Sequence, residues 1–155
     1  MATTDTPQLG SVLVIDGCDF LEQHIVQTLL STKSTSKIIV LDTTTIGNFI
    51  HRVECVTGSI SSQSMISKVL QDHKPHVIFH TASPNPLREN RKLLYEANVR
   101  GTEVLLECIE SEDESESEFA TKALIYNSSS SVVHNSYTDL INVTEDLPLF
   151  HSPEQ

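Results

Sequence analysis

The sequence predicts a doubly wound α/β fold, with about five parallel strands in the order 3-2-1-4-5 and helices on both faces. Short apolar runs rich in branched residues alternate with stretches of helical periodicity. Each run is nearly uninterrupted, as strands buried on both faces are. A chain of 155 residues has room for one such domain and its core, but not for a large second one.

The first strand falls at residues 11–15, with Val12, Leu13, Val14 and Ile15 as its apolar run. Leu21, Ile25, Val26, Leu29 and Leu30 then recur at helical spacing. A polar turn over 31–36 leads to the second strand, Ile38-Ile39-Val40-Leu41, which ends at Asp42. A weaker third strand covers 52–56, and Met65, Ile66, Val69 and Leu70 mark the second helix. Pro75 punctuates the chain before a fourth strand at 76–80. Leu93, Leu94, Ala97, Gly101, Val104, Leu105, Cys108 and Ile109 line one long helix. A glycine inside a helix costs about 1 kcal/mol relative to alanine, so Gly101 predicts a close approach between helix and sheet. Ala123-Leu124-Ile125-Tyr126 is the fifth strand. The expected layout is a flexible tail at 1–10, one domain at 11–147 with an acidic surface loop at 110–118, and a flexible end at 148–155.

The formal charge of -11 argues against unaided binding to nucleic acid or to an anionic membrane. No apolar run approaches bilayer length, and the start of the chain lacks the layout of a secretory signal. Cys18, Cys55 and Cys108 stand far apart, predict no metal centre, and suit reduced thiols in the cytoplasm.

In a doubly wound sheet, ligands sit beyond the carboxyl ends of the strands at the point where strand order reverses. The first strand-to-helix turn normally offers glycines and a helix N-terminus to a phosphate. Here that turn reads Ile15-Asp16-Gly17-Cys18-Asp19-Phe20-Leu21-Glu22, with a single glycine. A carboxylate ~4 Å from one phosphate charge costs roughly 4 kcal/mol at an effective dielectric of about 20. Acids at a helix start also cap free N–H groups and suit the positive end of its dipole, so they serve structure as well. A divergent binding mode and a carboxylate cluster for Mg²⁺ or Ca²⁺ are the other readings. Asp42 stands where an acid bonds ribose hydroxyls in dinucleotide folds.

These segments resemble the N-terminal part of the extended short-chain dehydrogenases, in particular the 3-beta-hydroxysteroid and sterol-4-alpha-carboxylate 3-dehydrogenase family. That family shows Thr-Gly-Gly-x-Gly-Phe-Leu-Gly at the turn. Gly17, Phe20 and Leu21 keep the pattern, while Asp16, Asp19 and Glu22 stand in place of its three Gly-x-x-Gly-x-x-Gly glycines. Thr57-Gly58-Ser59-Ile60 is similar to the segment beside adenine, with Ser59 replacing an acid. The stretch from Pro75 through Val77-Ile78-Phe79-His80-Thr81-Ala82-Ser83 looks like the family's fourth strand and the cleft residues after it. Asn98-Val99-Arg100-Gly101-Thr102 looks like its Asn-Val-x-Gly-Thr helix segment, and Tyr126-Asn127-Ser128-Ser129-Ser130-Ser131-Val132-Val133-His134 like its fifth-strand serine segment.

The resemblance implies an ancestral NAD site at Gly17, Phe20, Leu21, Asp42, Ser59, Ile60, Thr81, Ala82 and Ser83, opposed here by Asp16, Asp19 and Glu22. It implies relic catalytic roles for Ser129, which would steady a substrate oxygen, and for Asn98, which would organise a water or backbone bond. It implies no proton-transfer role for His80. The family's acid/base pair, Tyr-x-x-x-Lys, does not occur in this sequence. The expectation is a non-catalytic remnant or pseudoenzyme that binds no cofactor tightly. Apolar helix and sheet surface would then be covered by a second copy or by a protein partner. The alternatives are an oxidoreductase of sterol, steroid or secondary-metabolite biosynthesis that needs further sequence or a complementing subunit, and an atypical isomerase or lyase.

Overall fold

The computed structural model describes residues 8–16, 20–44, 52–84, 89–113, 121–133, 139, 141–144, 146 and 147. Both expected tails fall largely outside these residues, as do Gly17, Cys18 and Asp19 of the turn and most of the acidic loop.

Five parallel strands make one sheet in the order β3-β2-β1-β4-β5. They are β1 (Gly10–Ile15), β2 (Thr35–Asp42), β3 (Val53–Thr57), β4 (Val77–His80) and β5 (Ala123–Tyr126). Helix α1 (Phe20–Thr32) follows β1, and α2 (Gln63–His73) follows β3. The predicted long helix is α3 (Arg91–Tyr95), a π-helical turn (Glu96–Arg100) and α4 (Gly101–Asp113) in succession. The order and the alternation are those the apolar runs predict.

Alternating side chains of the central strands feed two cores. Val12, Val14, Ile38, Val40 and Val77 pack with Val26 and Leu29 of α1. Leu13, Ile15, Ile39, Leu41 and Ile78 pack with α2 and α4 through Ile66, Leu70, Val104 and Leu105. Burial on both faces is why β1 reads as an unbroken apolar run rather than an alternating one.

Local boundaries differ from the sequence reading. The segment 31–36 is not a simple polar turn: α1 continues to Thr32 and β2 begins at Thr35. The hydroxyls of Thr28, Ser31 and Thr32 donate back to carbonyls one turn earlier, so these polar residues satisfy their side chains within the helix. Order also begins before residue 11, since the Leu9 amide donates to Ser34 O at 2.7 Å. The start of the acidic stretch is helical, because α4 runs to Asp113. The polar tract after β5 holds a short 3-10 turn, Ser130–Val133.

Gly101 does mark a close approach, but to the β3–α2 connection rather than to the sheet. A Cβ added there would lie 2.5 Å from Ile60 Cγ2. Replacing Gly101 with alanine therefore forces Ile60 to move, and overpacking of this kind costs about 1–3 kcal/mol. Urea denaturation should show that loss for Gly101→Ala in the unaltered chain, and a smaller additional loss for the same substitution when it is made in an Ile60→Ala parent, itself destabilised by the core truncation.

Candidate functional site

The sheet order reverses between β1 and β4, and a cleft of about 270 Å³ opens beside that point, over the carboxyl ends of β1 and β2. Ile15, Leu41, Ile60, Ala82, Pro84 and Ala97 give it apolar walls, and Asp16, Asp42, Thr43, Thr44, Gly58 and Ser59 supply the polar side.

Asp16 is the turn residue that directly follows β1. Its φ of 69° puts it in the left-handed region, which asparagine and aspartate enter more readily than other residues with a Cβ. The Asp16 amide donates to Leu41 O at 2.7 Å, so the turn is pinned to β2. Asp42 follows Leu41 and is buried. Its Oδ1 accepts from the Thr44 amide at 2.8 Å and from the Thr44 hydroxyl at 3.1 Å, an Asx turn that fixes the carboxylate. The Asp42 carbonyl accepts from Gly58 N at 2.8 Å and ties β2 to the start of the Ser59-Ile60 wall. Ser59 Oγ lies 2.9 Å from Ser61 Oγ and accepts from the Ser61 amide at 3.3 Å.

Asp16, Asp42, Ser59, Ile60 and Ala82 are thus brought together on one cleft. Other predicted residues stand elsewhere. Phe20 is 81% exposed and its ring centroid sits 4.4 Å from that of His24, while Leu21 is also exposed. Thr81 is buried, with its hydroxyl donating to Ile15 O at 2.7 Å, so it braces β1 against the chain leaving β4. Ser83 is exposed and Glu22 is buried in α1, and neither lines the cleft. Thr43, Thr44, Pro84 and Ala97 line it without having been singled out; the threonines following Asp42 were the available sign, as partners of an Asx turn.

A second polar group lies next to the cleft. Asn98 belongs to the π-helical turn, in which Gly101 N donates to Glu96 O across five residues. The Thr102 hydroxyl donates to Asn98 O at 2.7 Å. Its single proton being used there, the same hydroxyl accepts from His80 Nε2, 2.8 Å away. His80 is therefore the Nε2–H tautomer, held by a side chain from the long helix rather than by backbone. Its ring meets Tyr126 edge-on, with centroids 5.0 Å apart. His80 Nδ1 and Asn98 Oδ1 are buried atoms with no hydrogen-bond partner among the described residues. Ser129 is exposed, just beyond β5.

Burial pushes the His80 pKa down to about 4. In the unfolded chain the ring takes a proton near pH 6.5, so its burial as neutral imidazole favours folding fully above that pH. The contribution disappears as pH falls from about 6.5 to about 4, and is at most about 3 kcal/mol. Denaturant unfolding of the unaltered chain and of His80→Gln across this window should show the steeper loss of stability in the unaltered chain.

Among the described residues no group of three metal-ligating side chains occurs, and no helix is long and apolar enough to cross a membrane. The sheet order, the carboxylate ending β2 and the cleft at the switch point define a Rossmann-like unit. Solved structures share this fold: a dTDP-glucose 4,6-dehydratase from Bacillus anthracis in complex with NAD (TM-score 0.70, 22% identity, 93% of this chain and 45% of that one), and a UDP-glucose 4-epimerase from Thermotoga maritima (TM-score 0.69, 22% identity, 86% and 42%). More particularly, the profile of the 3-beta hydroxysteroid dehydrogenase/isomerase family matches residues 13–155, and the chain belongs to that family. It is 32% identical to a decarboxylating sterol-4-alpha-carboxylate 3-dehydrogenase of Bos taurus, over 97% of this chain and 39% of the relative. It is 33% identical to the corresponding erg26 protein of Schizosaccharomyces pombe, over 91% and 39%. The chain thus spans about 40% of the length of these relatives.

Proposed function

We propose that this chain is a non-catalytic member of the 3-beta hydroxysteroid dehydrogenase family, in which the nucleotide cleft persists but ordinary dinucleotide binding is lost. The observation that carries this reading is Asp16. It occupies the phosphate-binding turn, and it lines the cleft that a cofactor would enter. Pyrophosphate normally meets bare backbone N–H groups there. A carboxylate in that place repels it by roughly 4 kcal/mol at ~4 Å and an effective dielectric of about 20. Asp19 would add to the effect. Glu22 adds less, being buried in α1 away from the cleft lining. Asn98 and Ser129 are relics of a catalytic surface in this reading, and the domain is the 11–147 unit.

The expected mode of action is contact with another protein, in a cytoplasmic setting where Cys55 and Cys108 stay as thiols. Exposed apolar side chains on the β5 edge and the long helix, among them Ile125, Tyr126, Tyr95 and Leu93, support such a contact.

A second reading keeps an oxidoreductase role, with the missing acid/base pair supplied by further sequence or by another subunit. The wall formed by Asp42 and Ile60, with Ser59 in place of an acid, favours it, since that is where the adenosine end of NAD is held in such folds.

Calorimetric titration with NAD, NADH and NADP separates the two. We expect no binding of NAD to the unaltered chain below millimolar concentration, and an affinity at least about tenfold higher for Asp16→Gly. The same variant should change unfolding free energy by less than about 1 kcal/mol, because glycine relieves the left-handed φ while adding unfolded-state entropy. Micromolar NAD binding by the unaltered chain would favour the second reading instead.

A further inference from the structure

We propose that the cleft is a nucleoside site selective by charge: it takes an adenosine-like ligand whose 5′ end is neutral or cationic, and rejects the 5′-phosphorylated forms. This rests on the reading of Asp16 just given, and it assigns the cleft an occupant in place of the dinucleotide.

Size is the first argument. About 270 Å³ lies just under the roughly 300–1,000 Å³ of most small-molecule sites, which suits one base and its ribose better than two. The walls are the second. Ile15, Leu41 and Ile60 are buried, so they offer a firm apolar slot for a planar ring. Asp42, its plane fixed by Thr44, stands where a carboxylate accepts ribose hydroxyls in this architecture.

Charge is the third, and it decides the selectivity. In this architecture the 5′ substituent of a nucleoside held at the end of β2 points to the end of β1. That place belongs to Asp16, pinned by its amide to Leu41 O, one residue before Asp42. Asp16 and Asp42 therefore line one slot from adjacent strands in fixed register. A phosphate monoester brings about -1.5 to -2 charges near neutral pH, and meets both. A 5′ hydroxyl can donate to Asp16, and a 5′ ammonium can pair with it. Family-type binding, in which phosphates strengthen the grip, is inverted.

The test is calorimetry on the full chain with adenosine, 5′-amino-5′-deoxyadenosine, AMP and NAD. The amine should bind at least about tenfold tighter than AMP, with adenosine between them, and added salt should narrow the gap. Asp16→Asn removes the charge while keeping a residue that accepts the left-handed backbone, and should bring AMP to within about threefold of the amine. Asp42→Ala should abolish binding of every nucleoside. AMP binding as tightly as adenosine to the unaltered chain, or an amine-to-AMP gap indifferent to salt, would overturn the proposal. No heat from any ligand up to millimolar concentration would overturn it too, yet leave the loss of dinucleotide binding standing. NAD binding more tightly than adenosine would overturn both.

Discussion

The hydrogen bond from the Asp16 amide to the Leu41 carbonyl is the last rung of the β1–β2 ladder, and the site depends on it. It brings the end of β1 level with the end of β2, so Asp16 and Asp42 open on a shared cleft. Both strands are buried along their apolar runs, which leaves their carboxyl ends as the place where polar groups can meet solvent. Two acids in adjacent register give that place a sign. The backbone ladder fixes where the two acidic residues stand, and an Asx turn with Thr44 fixes the Asp42 side chain.

The group around His80 shows how the long helix is tied to the same end of the sheet. The π-helical turn carries one residue more than an α-turn would, and such turns recur at functional sites. Here it sets Asn98 beside the cleft-lining Ala97 and leaves the Asn98 carbonyl to Thr102. Thr102 in turn holds His80, and His80 meets Tyr126. The cleft wall, the helix and the end of β5 are thereby joined through a buried neutral imidazole.

Much of the fold was legible because two-sided burial writes itself as unbroken apolar runs in β1, the end of β2 and β4. All five expected strands formed within a residue or two, apart from β2, which starts earlier, although β3 and β5 are largely exposed. Asp16, Asp42, Ser59, Ile60 and Ala82 were legible as neighbours of a cleft because they follow strands, where the fold rule puts ligands. Phe20 and Leu21 are exposed at the start of α1 and are not among the cleft-lining residues described. Once α1 turns Glu22, Val26 and Leu29 inward, helical phase turns Phe20 out to water. The His80–Thr102 contact joins two elements across 22 residues, and nothing in local spacing announces it. Thr81 reads as a cleft residue, but its hydroxyl is taken by Ile15 O, a pairing visible only in three dimensions.

The left-handed backbone at Asp16 also has a bearing on how such a chain could diverge. Few residues with a Cβ tolerate that conformation, and aspartate is the acidic one among them. A glycine codon reaches an aspartate codon by a single base change. A single substitution at this position can therefore change the charge of the turn without rebuilding its backbone, so the shape of the turn and the sign it presents are separable traits.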